Sequence, residues 1–284
     1  MRSSSLALFG VFGLVLVTAS GCRIEARTQT QFENSSQPAK VSVRDWAGEP
    51  ITINNNGINP ASGTTGVEVK VSSTATKITA EATFAAHADD DKESDAQLSI
   101  KEAIQTLVIE ESANGFTIKC GNGGAHGSST VAGSGCKILR VTIPAGTALK
   151  PHNLTVGNGA GEIRVGLANA GDSAPFVKNL LVDNNGLGEV DLRVRPVTAA
   201  TLVVTGEDAV RVALPSNFSS AQVTFTVDES DNAAALARIN TSAFPGMASG
   251  SPYPTTGATA EAAASLNVQS KGPFSSDTVT ITSF

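Results

Sequence analysis

The chain has 284 residues, enough for one large or two small domains, and 40% of them are hydrophobic, enough to bury a core. Charged residues make up only 16% and the formal net charge is −6, which argues against a nucleic-acid-binding face because such a face needs a basic patch. Alanine, serine, threonine, valine, glycine and asparagine are abundant instead, a composition that favours strands and turns over long helices.

The first 22 residues have the pattern of an export signal. Met1 and Arg2 give a short positive start, and residues 6–19 form an uncharged, mostly apolar run of 14 residues, which is short for a membrane span. The run ends in TASGC, which resembles the bacterial lipoprotein signal, in which cleavage precedes the cysteine and the cysteine is lipidated. The resemblance implies removal of residues 1–21 and acylation of Cys22. An ordinary secretory signal is the alternative.

Residues 22–40 are polar and offer little to pack, so we expect a flexible tether to a domain at residues 41–284. Several acyl chains on one cysteine hold a protein durably on a bilayer. Arg23 follows the cysteine, and the absence of aspartate there leans toward the outer membrane. The expected location is the bacterial cell envelope, lipid-anchored, periplasmic or exposed at the surface.

Past residue 40, apolar and polar residues alternate in short segments, as in strands with one buried face. The clearest segments are VEVKV (67–71), FTIKC (116–120), ILRVTI (138–143), VDLRV (190–194), VRVAL (210–214), VTFTV (223–227) and VTITS (279–283). Turns rich in asparagine and glycine separate them, and we expect a positive φ at Gly186.

One short helix is predicted over residues 94–106, with Ser94 or Asp95 as the N-cap. Its buried face would hold Ala96, Ile100 and Ala103. Residues 230–239 are a weaker helix candidate, and residues 244–263 predict a long loop.

The ends of the domain are expected to be covered by two segments. Residues 266–284 return to the strand pattern and are predicted to close one end. Trp46 is predicted to cap the other end.

Similar phrases recur along the chain. NLTVGNGAGEIRV (153–165) resembles LLVDNNGLGEVDLRV (180–194), with Val182 following Val156 by 26 residues. A third version, LVVTGEDAVRV, begins at Leu202. Periods in the twenties predict an all-β chain that winds as a right-handed β-solenoid, or β-helix, because stacked coils supply a core that no coil has alone. A β-sandwich is the alternative, since short strands with regular turns fit it too.

In rhythm and repeated phrase the chain resembles bacterial adhesin-type β-solenoid families, including the head domain of auto-transporter adhesins. The matching pieces are ITINNNGI, LRVTIPAG, LTVGNGAGEIRV, LLVDNNGLGEVDLRV and SKGPFSSDTVTITSF, which span most of residues 50–284. The resemblance implies the fold and a surface module, and it carries no catalytic motif.

Two cysteines remain once Cys22 is assigned to lipidation. Cys120 and Cys136 are separated by 15 residues, six of them glycine. In an oxidising envelope compartment they are predicted to form a disulfide. A metal site made of Cys120, His126 and Cys136 is the alternative, although the spacing matches no zinc motif.

The sequence offers few other residues that could bind a metal or take part in catalysis. The histidines, His87, His126 and His152, are each expected in a solvated loop. The acidic run at residues 87–95, HADDDKESD, offers Asp89, Asp91, Glu93 and Asp95 to a cation, but it lacks the glycine and spacing of a calcium loop, so a solvated turn before the helix is expected. We therefore predict no metal, no cofactor and no catalytic residue.

Two glutamates keep an enzymatic alternative open. GNGAGE (157–162) departs from a dinucleotide-binding loop because its sixth residue is Glu162 and a strand follows. Glu162 and Glu189 occupy equivalent repeat positions, and two carboxylates in a groove can serve acid–base chemistry on a glycan. A solenoid repeat also stacks glutamates without catalysis.

The expected function is that of a non-enzymatic cell-envelope lipoprotein whose β-solenoid serves adhesion, binding or envelope structure. Its partners would be the membrane, through Cys22, and an envelope polysaccharide or another surface protein. A carbohydrate-active β-helix enzyme and a ligand- or ion-sensing accessory protein are the alternatives. If the protein were an enzyme, we would expect a groove with converging carboxylates or a metal.

Overall fold

A computed structural model describes residues 29–34, 37–57, 66–89, 91–123, 131–166, 174–186, 188–227, 238–253, 264–272 and 278–284. The strands are β1 (Gln29–Asn34), β2 (Lys40–Val41), β3 (Ile51–Asn55), β4 (Gly66–Ser72), β5 (Thr79–Asp89), β6 (Val108–Ser112), β7 (Gly115–Cys120), β8 (Val131–Pro144), β9 (His152–Asn158), β10 (Glu162–Val165), β11 (Phe176–Asn184), β12 (Val190–Arg193), β13 (Arg195–Gly206), β14 (Val210–Leu214), β15 (Ser220–Val227), β16 (Ile239–Asn240), β17 (Ala264–Ser270) and β18 (Val279–Ser283). The helix α1 spans Glu93–Gln105. The chain is therefore all-β with one helix in its described part, as predicted.

The strands form two mixed sheets. Sheet A has the order β1-β5-β8-β4-β10-β12-β14-β18-β16, with β2 paired to β5, and sheet B has the order β15-β17-β13-β11-β9-β3-β7-β6. Seven times, a strand of sheet B is followed along the chain by a strand of sheet A. These seven strand pairs are β7–β8, β3–β4, β9–β10, β11–β12, β13–β14, β17–β18 and β15–β16, in their spatial order, which is the same in both sheets.

Neighbouring strand pairs are parallel in both sheets, and their register confirms that the repeated phrases are spatial neighbours. Val182 of β11 is the partner of Val156 of β9, and Leu202 of β13 is the partner of Leu180 of β11. Spatial order departs from chain order at both ends. At one end, the pair β3–β4 lies one step nearer the centre of the stack than β7–β8. At the other end, β17–β18 lies one step nearer the centre than β15–β16.

The centre of the core consists of four columns of inward side chains, with one residue from each of six or seven parallel strands. The columns are Phe116, Ile51, Leu154, Leu180, Leu202, Leu266 and Val223; Ile118, Ile53, Val156, Val182, Val204, Val268 and Phe225; Leu139, Val67, Ile163, Val190, Val210, Val279 and Ile239; and Val141, Val69, Val165, Leu192, Val212 and Ile281. Nearly all are buried. Because the alternating pattern sends every second residue inward, each strand pair covers the apolar side chains of the next.

Antiparallel strands and the helix cover the β7–β8 end. Strands β5 and β1 continue sheet A there and β6 continues sheet B, all antiparallel to their neighbours. Helix α1 packs on β5, β8 and β1. The predicted helical face is confirmed, since Ala96, Ile100 and Ala103 are fully buried. The N-cap is Lys92 rather than Ser94 or Asp95, because the helix already begins at Glu93.

The segment 241–253 covers the opposite end, along the edge strand β15. The Gly250 amide donates to the Val223 carbonyl at 2.8 Å, and the Phe225 amide donates to Ser249 Oγ at 3.0 Å. These bonds occupy backbone groups that an open edge strand would offer to another chain. The prediction that residues 266–284 close an end is wrong, since their strands β17 and β18 each have a strand beyond them.

The prediction that Trp46 caps one end of the domain is also wrong. Its ring is buried and stacks on the His152 ring with centroids 4.4 Å apart. Because His152 begins β9, which pairs with β3 and β11, the tryptophan lies beside the middle of the stack and not at its end.

The tether expected at residues 22–40 is wrong for residues 29–34, which form strand β1, whereas residues 22–28 lie outside the described residues. Gln29–Asn34 pairs antiparallel with β5 over six residues. Phe32 packs against the core cluster, which supplies the apolar contact that the polar sequence around it did not suggest. Residues 29–34 are therefore a strand of sheet A and not part of a tether.

The asparagines of the repeated phrases form a buried ladder. Asn55 Nδ2 donates to Asn158 Oδ1 at 3.1 Å, and Asn158 Nδ2 donates to Asn184 Oδ1 at 3.0 Å. All three side chains are almost completely buried at the ends of β3, β9 and β11. Asn158 and Asn184 also donate to the Gly161 carbonyl. The ladder explains why the phrases repeat asparagine: each amide satisfies polar groups where the chain turns between the sheets.

We expect Asn158→Ala to destabilise the domain by about 2 kcal/mol, because it removes the buried hydrogen bonds that Asn158 makes with Asn55 and Asn184 and its donation to the Gly161 carbonyl. Asn153→Ala is the matched control, since Asn153 accepts from Asn179 Nδ2 at the exposed surface of the same strand. That variant should lose less than about 1 kcal/mol. Urea unfolding of both proteins measures the difference, and equal losses would contradict the ladder's role.

Candidate functional site on the outer face of sheet A

Six charged side chains lie at register positions across adjacent strands of sheet A. This charged row consists of Glu81 of β5, Arg140 of β8, Glu68 of β4, Arg164 of β10, Asp191 of β12 and Arg211 of β14. Each residue lies between two inward core residues of its strand, so its side chain points outward. The row runs perpendicular to the strands, with a step of about 4.8 Å from each strand to the next.

The charges of the row alternate in sign. Parallel stacking of a repeat would place the same residue over itself, and like charges directly opposite one another are destabilising. Alternation removes that repulsion. Arg140 Nε donates to Glu68 Oε2 at 3.2 Å, and Lys70 Nζ lies 3.4 Å from Glu68 Oε1.

Two further glutamates, Glu162 and Glu189, lie beside the charged row. They are the two glutamates that occupy equivalent positions in the repeated phrases. The Ile163 amide donates to the Glu189 carbonyl at 3.0 Å, so Glu189, which immediately precedes β12, lies beside Glu162, the first residue of β10. Glu162 contacts Arg164 at 2.5 Å, and Glu189 lies 3.6 Å from Arg211. Each glutamate is therefore engaged by an arginine.

Asp191 is a carboxyl of this face whose pKa is shifted. Burial raises its pKa, and the nearby Glu189 and Glu162 add to that effect. Arg211 and Arg164 oppose it without reversing it.

A depression of about 240 Å³ opens beside the row, lined by Gly66, Val67, Glu68, Ile138, Arg140, Glu162 and Arg164. Its floor depends on Gly66, where an added Cβ would lie 1.8 Å from the Glu162 carbonyl oxygen. Gly66 therefore allows β4 and β10 to approach closely, and the depression is edged by two arginines and two glutamates. Such a site can offer hydrogen-bond donors and acceptors together to a hydroxyl-rich ligand.

A second cavity, of about 520 Å³, lies at the disulfide and is lined by Asn54, Asn56, Thr106, Val108, Lys119, Cys120 and Gly121. Cys120 and Cys136 form a disulfide in the structure, and both are buried. It joins β7 to β8 within one strand pair. Cys22 and His126 lie outside the described residues.

The acidic run at residues 87–95 is spread over several elements. Asp89 is buried at the end of β5, Asp91 lies 3.2 Å from Lys92 Nζ, and Glu93 and Asp95 occupy the first turn of α1. Carboxylates in a first turn favour the helix dipole. Within the described ranges, no group of three or more histidine, cysteine, aspartate or glutamate side chains is arranged to hold a metal ion.

Two histidines correct the expectation of solvated loops. His87 lies in β5 and His152 begins β9, and both are buried. Burial lowers the pKa of His87, and the nearby Lys137 lowers it further. Burial lowers the pKa of His152 to about 4. The Pro144 carbonyl weakly opposes that shift, but neither ring nitrogen of His152 makes a regular hydrogen bond.

His152 makes stability depend on pH. The unfolded chain takes up a proton near pH 6.5, whereas the folded chain resists it down to about pH 4. Stability is therefore complete above pH 6.5 and falls as the pH drops toward 4, by about 2 kcal/mol at pH 5. His152→Phe, which retains an aromatic ring against Trp46, should lose most of this dependence. Urea unfolding at pH 7.5 and pH 5 tests it, and identical pH profiles for the two proteins would refute it.

The sequence contains a pattern that indicates the charged row, although the comparison of repeated phrases did not identify it. The segments VEVKV, ILRVTI, EIRV, VDLRV and VRVAL each carry a charge at an outward position between two apolar residues. Their order in space becomes evident only from the strand pairing, because β4 and β8 are exchanged relative to chain order.

No helix among the described residues is both long and apolar enough to cross a membrane. Comparisons of the chain with protein-family models, with curated proteins and with solved structures found no match.

Proposed function

We propose that the protein is a non-enzymatic lipoprotein of the bacterial cell envelope whose domain is a right-handed β-solenoid that presents the charged face of sheet A to an envelope polysaccharide. The observation that carries the fold proposal is the identical spatial order of the seven strand pairs in the two sheets. Each pair corresponds to one coil. A β-sandwich is less consistent with these strands, since its sheets are antiparallel and the central strands here are parallel.

The proposed location in the cell envelope rests on the sequence. Arg2, the apolar run at residues 6–19 and the small residues before Cys22 support export followed by acylation. The disulfide between Cys120 and Cys136 is compatible with an oxidising compartment. Anchoring at Cys22 would keep the domain among envelope polymers.

The binding proposal rests on the charged row and the depression beside it. Sugar hydroxyls both donate and accept hydrogen bonds, and the face alternates guanidinium donors with carboxylate acceptors. A row across six adjacent strands, each step about 4.8 Å, is long enough to contact several sugars of an extended chain.

Co-sedimentation with polysaccharide extracted from the host envelope tests the binding proposal. Arg140→Ser combined with Arg164→Ser should weaken binding at least tenfold, because both arginines edge the depression. The matched control is Lys119→Ser combined with Lys178→Ser, which removes two positive charges from strands β7 and β11 of sheet B. Equal binding by the two double variants, or no binding by the wild type, would overturn the proposal.

A carbohydrate-active enzyme is the second candidate, favoured by the raised pKa of Asp191 near the neighbouring carboxylates Glu162 and Glu189. Its test is release of reducing ends from the same polysaccharide. Release that disappears in Asp191→Asn would establish the enzyme and contradict the non-enzymatic proposal.

A further inference from the structure

Strand β1 fixes the position of Gln29, to which the N-terminal residues are attached. Gln29 of β1 is the register partner of Asp89, the last residue of β5. The Lys92 amide donates to the Asp89 carbonyl at 2.9 Å, and α1 follows at Glu93. The exit point is therefore the corner where β1 begins, β5 ends and α1 begins.

This corner lies at one extreme of the molecule. Strand β1 is the first strand of sheet A and β16 is the last, eight strand-to-strand steps away. At about 4.8 Å per step, these two edges are about 38 Å apart. The segment 241–253, which follows β16 and covers β15, lies at the far end.

The connection to the lipid is short. Six residues, 23–28, separate Cys22 from Gln29, and a fully extended chain of that length reaches at most about 25 Å. A tether that ran to residue 40 would have allowed every face of the domain to reach the membrane. Pairing of β1 with β5 removes that freedom.

The net negative charge of the chain disfavours an orientation in which the domain lies flat on the membrane. The chain from Cys22 onward has 19 basic and 26 acidic residues, and an anionic lipid surface repels an acidic body. The exit corner itself is held close by the tether, so repulsion acts mainly on the rest of the molecule and tilts it away from the surface.

We propose that the domain stands on the lipid surface with its β1–α1 end toward the headgroups and with segment 241–253 pointing away, held in this orientation by the pairing of β1 with β5. The proposal rests on acylation of Cys22. It leaves the charged row running from the membrane outward, since the row crosses sheet A along the same axis.

Fluorescence quenching in vesicles tests the orientation. The acylated full chain is reconstituted in vesicles of phosphatidylethanolamine and phosphatidylglycerol that contain a headgroup-nitroxide lipid. A fluorophore is attached at Ser94→Cys, near the exit corner, or at Ser242→Cys, at the far end; both serines are exposed. The label at position 94 should be quenched at least threefold more than the label at position 242.

A second pair of variants tests the role of β1. Phe32→Asp places a charge where the ring packs against the core, so it should release β1, lengthen the tether and abolish the difference in quenching. Thr30→Ser, on the same strand, should preserve it. Thermal melting verifies that each variant is folded.

The outcomes separate the two proposals. Acylated, vesicle-bound wild type with equal quenching at the two labels would overturn the orientation and leave the lipoprotein intact. A persistent difference in folded Phe32→Asp would show that β1 does not set it. Failure of the wild type to be acylated would instead overturn the proposed lipoprotein.

Discussion

Replacing Gly186 by valine is expected to destabilise the domain by about 3 kcal/mol, the upper range for forcing extra volume into packed structure. A Cβ at this position would lie 2.5 Å from the Ala160 Cα, 2.6 Å from the Ala160 carbonyl carbon and 2.6 Å from the Gly161 nitrogen. All three atoms belong to the backbone of the neighbouring turn, so no side chain can rotate away. One of the two turns must move, and the Asn158–Asn184 bond between them would be strained.

The reason for this glycine differs from the one the sequence suggested. Gly186 does not adopt a positive φ, whereas Gly250 does, at +81°. Gly186 is required because stacked turns approach closely. A Cβ added to Gly250 would meet no atom within 4 Å outside its chain neighbours, so Gly250→Val costs only backbone strain, about 1–2 kcal/mol.

Gly250→Val is therefore the control for Gly186→Val. Urea unfolding of both variants gives the two losses of free energy, and thermal melting gives an independent ranking. If the two variants were equally stable, the close stacking of the turns at residues 158–161 and 184–186 would be wrong.

Breaking the disulfide is expected to cost about 3 kcal/mol, the chain-entropy value for a closed loop of 15 residues. Cys120 and Cys136 are buried between β7 and β8, at the β7–β8 end of the stack. Cys120→Ser combined with Cys136→Ser should lower the free energy of unfolding by that amount, and reducing agent should do the same to the wild type. Reducing agent should leave the double variant unchanged.

Mass spectrometry of the exported protein under non-reducing conditions checks the bond itself. The peptides that contain Cys120 and Cys136 should be detected as one cross-linked species. Two free thiols, or a bound zinc ion released by chelator, would contradict the prediction.

The sequence predicted the strands well because their core positions alternate regularly, and the repeated phrases identified neighbours such as Val156 and Val182. It did not predict the exchanged order at the two ends. The phrase of β8 would fit beside β10 as well as the phrase of β4 does, since all three strands carry apolar residues at the same inward positions. Only the long antiparallel pairing of β5 with β8 places β7–β8 outside β3–β4.

Other features depended on contacts that the local pattern does not encode. Residues 29–34 lack apolar alternation, and only Phe32 connects them to the core. His152 was expected in a loop because its neighbours are polar, yet it lies under the Trp46 ring, contributed by a segment about a hundred residues earlier. The charges of the row were visible in the sequence, but their alternation is a property of the spatial order.

Acylation is the central claim about where this domain works, and labelling with a fatty-acid analogue, combined with membrane fractionation of wild type and Cys22→Ala, tests it most directly. The account predicts that the wild type takes up the label and sediments with membranes. Cys22→Ala should take up no label and remain soluble, with an unchanged melting temperature because Cys22 lies outside the strands and helix that form the described core. A wild-type protein that is unlabelled and entirely soluble would contradict the account.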